Sequence, residues 1–224
     1  MAGQMVKFPS DGHECEGYLA LPASGKGPGV LVIQEWWGLV PNITNIADRL
    51  AAEGYVALAP DLYHGKTAKE PDEAGKLMMS MKMDEAAKDM SGGADYLKGH
   101  AACTGKLGSV GFCLGGGLSL YIATLRPIDA CVIYYGALPG VQPDLSKVAG
   151  AVLGHYAEHD EWASPATARA LEQQLKGLGK QVEFHIYPGT QHGFFNDTRP
   201  DVHHAEASRQ TWERTLAFYK QHLS

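Results

Sequence analysis

Positive charge is scarce and dispersed in this chain: 224 residues carry 19 Lys and Arg against 25 Asp and Glu, a formal net charge of -6. No basic stripe with interleaved aromatics occurs, which excludes the electrostatic footprint of a nucleic-acid binder. Apolar runs are short, and none approaches the ~20 residues of a membrane-spanning helix. The stretch Met1-Ala2-Gly3-Gln4-Met5-Val6-Lys7 also lacks the apolar segment of a signal peptide. A cytoplasmic protein with no membrane partner is therefore expected. Cysteine is sparse: Cys15, Cys103, Cys113 and Cys131 form no C-x-x-C pair, so neither a zinc knuckle nor a redox dithiol is written here. Reduced thiols are the simpler reading. His155 and His159 are four residues apart, but that spacing converges on a metal only on a helix, and Val152 to Tyr156 reads as a strand. No metal site and no cofactor are expected. Internal repeats, low-complexity tracts and linkers are missing too, and with 45% hydrophobic residues the chain suits one domain over residues 1–224.

What is present is a rhythm. Short apolar runs at Val30 to Ile33, Tyr55 to Ala59, Leu107 to Gly111, Ala130 to Tyr135, Ala151 to Tyr156 and Val182 to Tyr187 alternate with helix-like segments. Strands apolar on both faces, alternating with helices, predict an α/β fold: a mostly parallel central sheet flanked by helices on both faces. Glu16 to Leu21 adds an antiparallel edge strand. Helices are expected at Pro41 to Glu53, Glu73 to Lys98, Gly115 to Thr124, Pro165 to Leu178 and His204 to His222. Gly54 can end the first, Pro165 can open the fourth, and the last carries an apolar stripe through Trp212, Leu216, Phe218 and Tyr219. The segment Tyr63 to Met90 is rich in methionine, which reads as an adaptable core stripe or as the flexible wall of an apolar pocket, and a lid over residues 63–90 stays open.

Chemistry concentrates at Gly111-Phe112-Cys113-Leu114-Gly115, a G-x-C-x-G segment between an apolar run and a helix start. This is the strand, sharp turn and helix of a nucleophile elbow, with cysteine where serine usually stands. A thiolate at a helix N-terminus is a covalent catalyst; a buried structural cysteine is the alternative. A nucleophile needs a base and a group that orients the base. His192 follows the last apolar strand inside Pro188-Gly189-Thr190-Gln191-His192-Gly193, and Asp160 follows the preceding strand. In an open parallel sheet both positions emerge at the carboxyl edge, where ligands bind. Glu158 and Glu161 rival Asp160 as the orienting acid. The run Val32-Ile33-Gln34-Glu35-Trp36-Trp37-Gly38 ends an early strand in a carboxylate and two indoles. Backbone NH groups of Leu114 and Trp36 are the natural oxyanion donors. Glu35 at an apolar sheet edge requires a partner, and its plainer reading is a surface or salt-bridged acid.

Gln34-Glu35-Trp36-Trp37-Gly38, Pro60-Asp61-Leu62-Tyr63, Gly111-Phe112-Cys113-Leu114-Gly115-Gly116, Tyr134-Tyr135-Gly136 and His192-Gly193-Phe194 together resemble the dienelactone hydrolase family, over nearly the whole chain. The resemblance implies a single-domain α/β-hydrolase with Cys113, Asp160 and His192 as a triad. It also implies that Glu35 contacts the resting thiol and accepts its proton or swings aside when substrate binds. The expected activity is cleavage of a small lactone or activated ester through a thioester, by a monomer whose partner is a small molecule. Family members that hydrolyse carboxymethylene butenolides carry an arginine four residues after the histidine; here that position is Asn196. A second arginine expected after Pro-Asp-Leu-Tyr is absent, with only Lys66 and Lys69 nearby, and Arg199 is the one cation that could reach back. A broader carboxylesterase or thioesterase, and a non-catalytic ligand-binding or thiol-sensing protein on the same fold, remain alternatives.

Overall fold

A computed structural model describes residues 2–138 and 140–224. Among the described residues, eight strands and six α-helices follow in the order β1 (Gln4–Ser10), β2 (His13–Ala20), β3 (Gly27–Ile33), α1 (Pro41–Ala52), β4 (Val56–Pro60), α2 (Pro71–Ser80), α3 (Met83–Gly99), β5 (Cys103–Phe112), α4 (Leu114–Leu125), β6 (Ala130–Tyr134), β7 (Ala151–His159), α5 (Pro165–Gly177), β8 (Val182–Gln191) and α6 (Ala205–His222). The chain forms two compact units that divide between Ser109 and Val110, inside β5. Among the described residues no helix is long and apolar enough to cross a membrane.

In the first unit the strand order is β1-β2-β4-β3-β5. β3 and β4 run parallel, while β2 pairs antiparallel with β4 and β1 antiparallel with β2. All five residues of β4 are buried, because α1 and α3 both pack on it. This is the all-apolar signature of a strand covered on two faces. Helix α1 opens on Pro41 and stops at Gly54, whose φ of 98° lets Tyr55 donate back to the Leu50 carbonyl.

Two expectations are corrected in this unit. β2 is not the edge strand: β1 lies outside it, and its alternation of exposed and buried residues was too polar to stand out in the sequence. The single helix expected from Glu73 to Lys98 is two, because Met81 and Lys82 adopt extended backbone. Ser80 turns its hydroxyl back to the Leu77 carbonyl, and Asp84 and Glu85 start α3 with charges that suit a helix N-terminus. Of the described methionines only Met90 is in the core, and Met79 is 85% exposed, so the core-stripe reading applies to one residue.

In the second unit the order is β5-β6-β7-β8, with β6, β7 and β8 parallel. α4 and α6 pack on β6, α6 and α5 on β7, and α5 on β8. Ser164 caps α5 by accepting from the Thr167 NH, followed by Pro165 at the first helical position. The buried face of α6 differs from the aromatic stripe expected: Ala207, Thr211, Thr215 and Tyr219 face inward, with Trp212, Leu216 and Phe218 only half-buried. The inward threonines have partners. Thr215 Oγ1 meets Tyr134 OH at 2.8 Å and His155 Nε2 at 3.1 Å, so a hydroxyl there costs nothing in unmade hydrogen bonds.

Candidate active site

Each of three side chains in the second unit is the first residue after its strand: Cys113 after β5, Asp160 after β7 and His192 after β8. Cys113 holds φ 57° and ψ -119°, a left-handed conformation that a side chain rarely adopts, and it is the N-cap of α4. Such strain persists only where the surroundings enforce it. They do: a Cβ on Gly111 would collide with the Gly115 carbonyl, and one on Gly116 would come within 2.7 Å of the Gly136 Cα and the Tyr134 carbonyl. Cys113 NH donates to the Tyr134 carbonyl at 3.1 Å, fastening the turn to β6. Cys113 as a whole is 8% exposed. The Cys113 carbonyl accepts the NH groups of Gly116 and Gly117 at 3.0 and 3.4 Å, whereas the NH groups of Leu114 and Gly115 precede the first intrahelical acceptor of α4.

His192 and Asp160 meet because of an irregularity between β7 and β8. Ala157 pairs with Tyr187, but the next pair is His159 with Gln191, so β8 holds two extra residues across this step. Gly189, at φ 70°, absorbs the bulge, and Glu158 Oε2 accepts its NH at 2.8 Å. The realigned register sets Asp160 and His192 side by side, with Asp160 Oδ2 2.7 Å from His192 Nδ1. Asp160 Oδ1 accepts the NH groups of Trp162 and Ala163 at 2.9 and 2.8 Å. Burial pushes this carboxyl up, but the hydrogen bond and charge of His192 and the two backbone donors outweigh it, so it sits below the usual carboxylate range. With Nδ1 engaged by the carboxylate, Nε2 is the nitrogen left for proton transfer. Of the rival acids, Glu158 is spent on the bulge and on exposed His159, and Glu161 is exposed.

Two aromatics missing from the expected site residues frame the imidazole. Tyr135 and Trp162 both pack in T-shaped contact with His192, at ring-centroid distances of 5.0 and 5.3 Å. Tyr135 takes φ 38° directly after β6 and donates its NH to the His155 carbonyl at 2.7 Å. Its place just after an apolar strand and before Gly136 was the available signal. A cavity of about 430 Å³ in this unit lies over the glycines of α4, but neither Cys113, Asp160 nor His192 lines it and no titratable group does.

Glu35 belongs to the first unit, in the turn after β3, and is 3% exposed, so the surface-acid reading is excluded. Its backbone carbonyl accepts the Gly38 NH at 3.3 Å, and Trp36 and Trp37, both half-buried, pack edge to face at 5.1 Å. Asp61 of the Pro-Asp-Leu-Tyr motif holds its own loop, accepting from the NH groups of Tyr63 and Gly65 at 3.1 and 2.6 Å. Asn196 is likewise committed: its Oδ1 accepts the NH and hydroxyl of Thr198 at 3.0 and 2.6 Å. Arg199 is tied to Asp201 at 2.6 Å rather than reaching back. His155 and His159 lie on β7, His155 fully buried and His159 exposed. Four residues along a strand span ~13 Å, too far for one ion.

The family described as "Dienelactone hydrolase family" matches residues 15–223. "Protein usf" of Aquifex pyrophilus is 39% identical over 99% of this chain and 100% of its own. "Putative carboxymethylenebutenolidase" of Aquifex aeolicus (strain VF5) is 36% identical over 99% of each chain. Among solved structures, the "Putative Dienelactone Hydrolase" of Klebsiella pneumoniae subsp. pneumoniae MGH 78578 superposes with a TM-score of 0.87 at 28% identity, covering 99% of this chain and 100% of that one.

Proposed function

This chain belongs to the dienelactone hydrolase family of hydrolases, and from that premise we propose that it cleaves neutral activated esters or small lactones, with Cys113 as nucleophile and His192 oriented by Asp160. The observation that carries the reading is the pairing of a strained Cys113 at the N-cap of α4 with the 2.7 Å His192–Asp160 bond, each residue directly following its strand in one compact unit. The thiolate adds to the carbonyl carbon, and the tetrahedral oxyanion rests on the Leu114 NH and, by motif alone, the Trp36 NH. Collapse of the adduct re-forms the carbonyl and breaks the bond from its carbon to the ester oxygen, leaving a thioester on Cys113 and an alkoxide or enolate oxygen, tethered in a lactone, that takes the proton Glu35 received from the thiol. His192 Nε2 then draws a proton from water as the water oxygen attacks the thioester, and the acid product leaves as the thiolate returns. Glu35 receives the resting thiol's proton in this reading, a role that rests on the Gln34 to Gly38 motif.

Because thiolate is a good leaving group, the adduct partitions forward only when the substrate's own leaving group is at least as good. Enol lactones and aryl esters meet that condition better than alkyl esters or amides. Neutral substrates are favoured because Asn196 carries no charge and Arg199 is engaged by Asp201, so neither position offers a cation to grip a substrate carboxylate. The test is hydrolysis of dienelactone, a neutral enol lactone, p-nitrophenyl acetate and p-nitrophenyl butyrate by the parent and Cys113→Ala proteins. Turnover of the neutral substrates that vanishes with Cys113→Ala supports the proposal. Efficient turnover of dienelactone overturns the substrate preference, and ligand binding without any turnover moves the chain to a non-catalytic binder.

A further inference from the structure

The sequence offered no metal ligands at His155 and His159, yet the first unit gathers a different set from three elements. His13 begins β2, His64 lies in the loop after β4, and Asp89 is in the middle of α3. Their ligand atoms all lie within 4.8 Å of one another. His13 Nε2 is 2.7 Å from Asp89 Oδ1, and His64 Nε2 is 3.2 Å from Asp89 Oδ2. The two rings stand 5.8 Å apart at their centroids, with both Nε2 atoms turned to the same carboxylate.

Asp89 is 0% exposed, while the imidazoles are 36% and 45% exposed, so a buried carboxylate closes the back of the cluster and solvent reaches its front. Among the described residues, Asp89 Oδ2 accepts no hydrogen bond despite its burial. His64 Nε2 lies 3.2 Å from this oxygen and His13 Nε2 2.7 Å from the other, so each oxygen of the buried carboxylate faces one imidazole nitrogen. A fully buried carboxylate needs strong compensation, and a cation held between the three ligand atoms supplies it.

The supporting structure is built to hold these side chains. His64 takes φ 51°, rare for a residue other than glycine, in a loop that Asp61 pins through the NH groups on either side, Tyr63 and Gly65. Ser10 Oγ donates to Asp89 Oδ1 at 2.6 Å, fixing the carboxylate from behind as outer-shell donors fix metal-binding carboxylates. The hairpin turn before His13, with φ 21° at Asp11 and 95° at Gly12, points that residue back over the helix, and Lys88 answers Asp11 at 3.2 Å.

We propose that His13, His64 and Asp89 form a binding site for a divalent first-row transition ion, Zn2+ being the natural candidate, in the first compact unit. Two imidazoles and one carboxylate select such an ion over Mg2+ or Ca2+, which take oxygen ligands. With bonds of ~2.0–2.2 Å, tetrahedral ligands stand ~3.4 Å apart. His13 Nε2 and His64 Nε2 stand 2.7 and 3.2 Å from the two oxygens of Asp89, and with all ligand atoms within 4.8 Å of one another the set reaches that spacing by movement of the two exposed imidazoles. Neutral imidazoles and one carboxylate supply a net charge of -1, and the exposed front leaves a fourth position for water. The ion joins the β1–β2 hairpin, the loop after β4 and α3, so binding raises the stability of the first unit.

Full-length protein stripped with chelator and titrated with ZnCl2 by calorimetry should bind one equivalent, and Co2+ should give the visible absorption of a tetrahedral site. His13→Ala and His64→Ala should each weaken Zn2+ binding about 100-fold or more, since loss of an outer-shell partner alone costs 10–100-fold. Zn2+ should raise the melting temperature of the parent and of Cys113→Ala, and leave that of the two histidine variants unchanged. Both histidines are exposed, so these variants are expected to fold, and circular dichroism of the metal-free proteins checks it. Failure of the parent to take up Zn2+ overturns the proposal, as does one-equivalent binding that survives both histidine substitutions.

Discussion

Asp160→Asn tests the catalytic reading most directly, because it changes one atom at a fully buried carboxylate. The retained oxygen can still accept the Trp162 and Ala163 NH groups, now 2.9 and 2.8 Å away, so the turn after β7 is preserved. The new NH2 group then faces His192 Nδ1 across the 2.7 Å bond. Two donors cannot share that bond, so His192 must switch to the tautomer with its proton on Nε2, the nitrogen that has to accept a proton from water. An imidazolium formed during turnover also loses its charge partner. General-base contributions of 10²–10⁴ set the expected loss in kcat/KM, ~2.7–5.4 kcal/mol of transition-state stabilisation. A hydrogen bond to a charged group is worth ~1 kcal/mol more than a neutral one, so the melting temperature should fall by only ~2–4 °C near neutral pH. The folded carboxyl lies below its ordinary value, so its stabilisation is present above the unfolded value near pH ~3.9 and is lost as pH falls through the lower folded value. The difference in melting temperature between parent and variant should therefore shrink below pH ~4. Ester hydrolysis and thermal melts on the same samples decide the matter. Activity within threefold of the parent in a folded Asp160→Asn protein would falsify the orienting role, and a large loss in Glu158→Gln instead would transfer it to that residue.

Cys113→Ser should lower hydrolysis of p-nitrophenyl acetate and of an enol lactone on the order of 10²-fold or more, because the imidazole must then activate a neutral hydroxyl; equal or higher turnover with serine contradicts a thiolate mechanism. His155, buried and bonded to Tyr187 OH and Thr215 Oγ1, is held well below its ordinary pKa by burial, His185 and Arg214. The unfolded chain therefore binds a proton there below pH ~6.5 that the folded chain does not, costing up to ~2 kcal/mol, or ~4–8 °C, between pH 6.5 and 5. His155→Gln should flatten that part of the melting profile, and an unchanged slope would show that His155 does not cause it.

Much of the architecture was legible because the signals are local. Gly54, Pro165 and the glycines around Cys113 punctuate the apolar and amphipathic runs, and element ends occur within a few residues of each. The order of Cys113, Asp160 and His192, each after its own strand, was likewise a property of the chain written in one dimension. β1 escaped because an edge strand with alternating exposure has no continuous apolar run. The Met81–Lys82 break escaped because neither residue is a helix breaker and the interruption depends on where α2 and α3 begin and end.

The sequence alone determined the α/β alternation, since it depends on residue types at short and regular spacing, and carried the resemblance to the family in five motifs from Gln34 to Phe194. Tertiary structure decided which acid meets His192, because a two-residue bulge in β8 realigns the strand ends and no composition records register. It also decided that Thr215 of α6 could be buried, its partners Tyr134 and His155 coming from β6 and β7. The same holds for His13, His64 and Asp89, which lie on a strand, a left-handed loop residue and a helix and converge only when β1, β2 and α3 pack together. Pairings across such sequence distances are set by strand order and helix packing, and physical proximity of that kind has no spacing that a linear reading can detect.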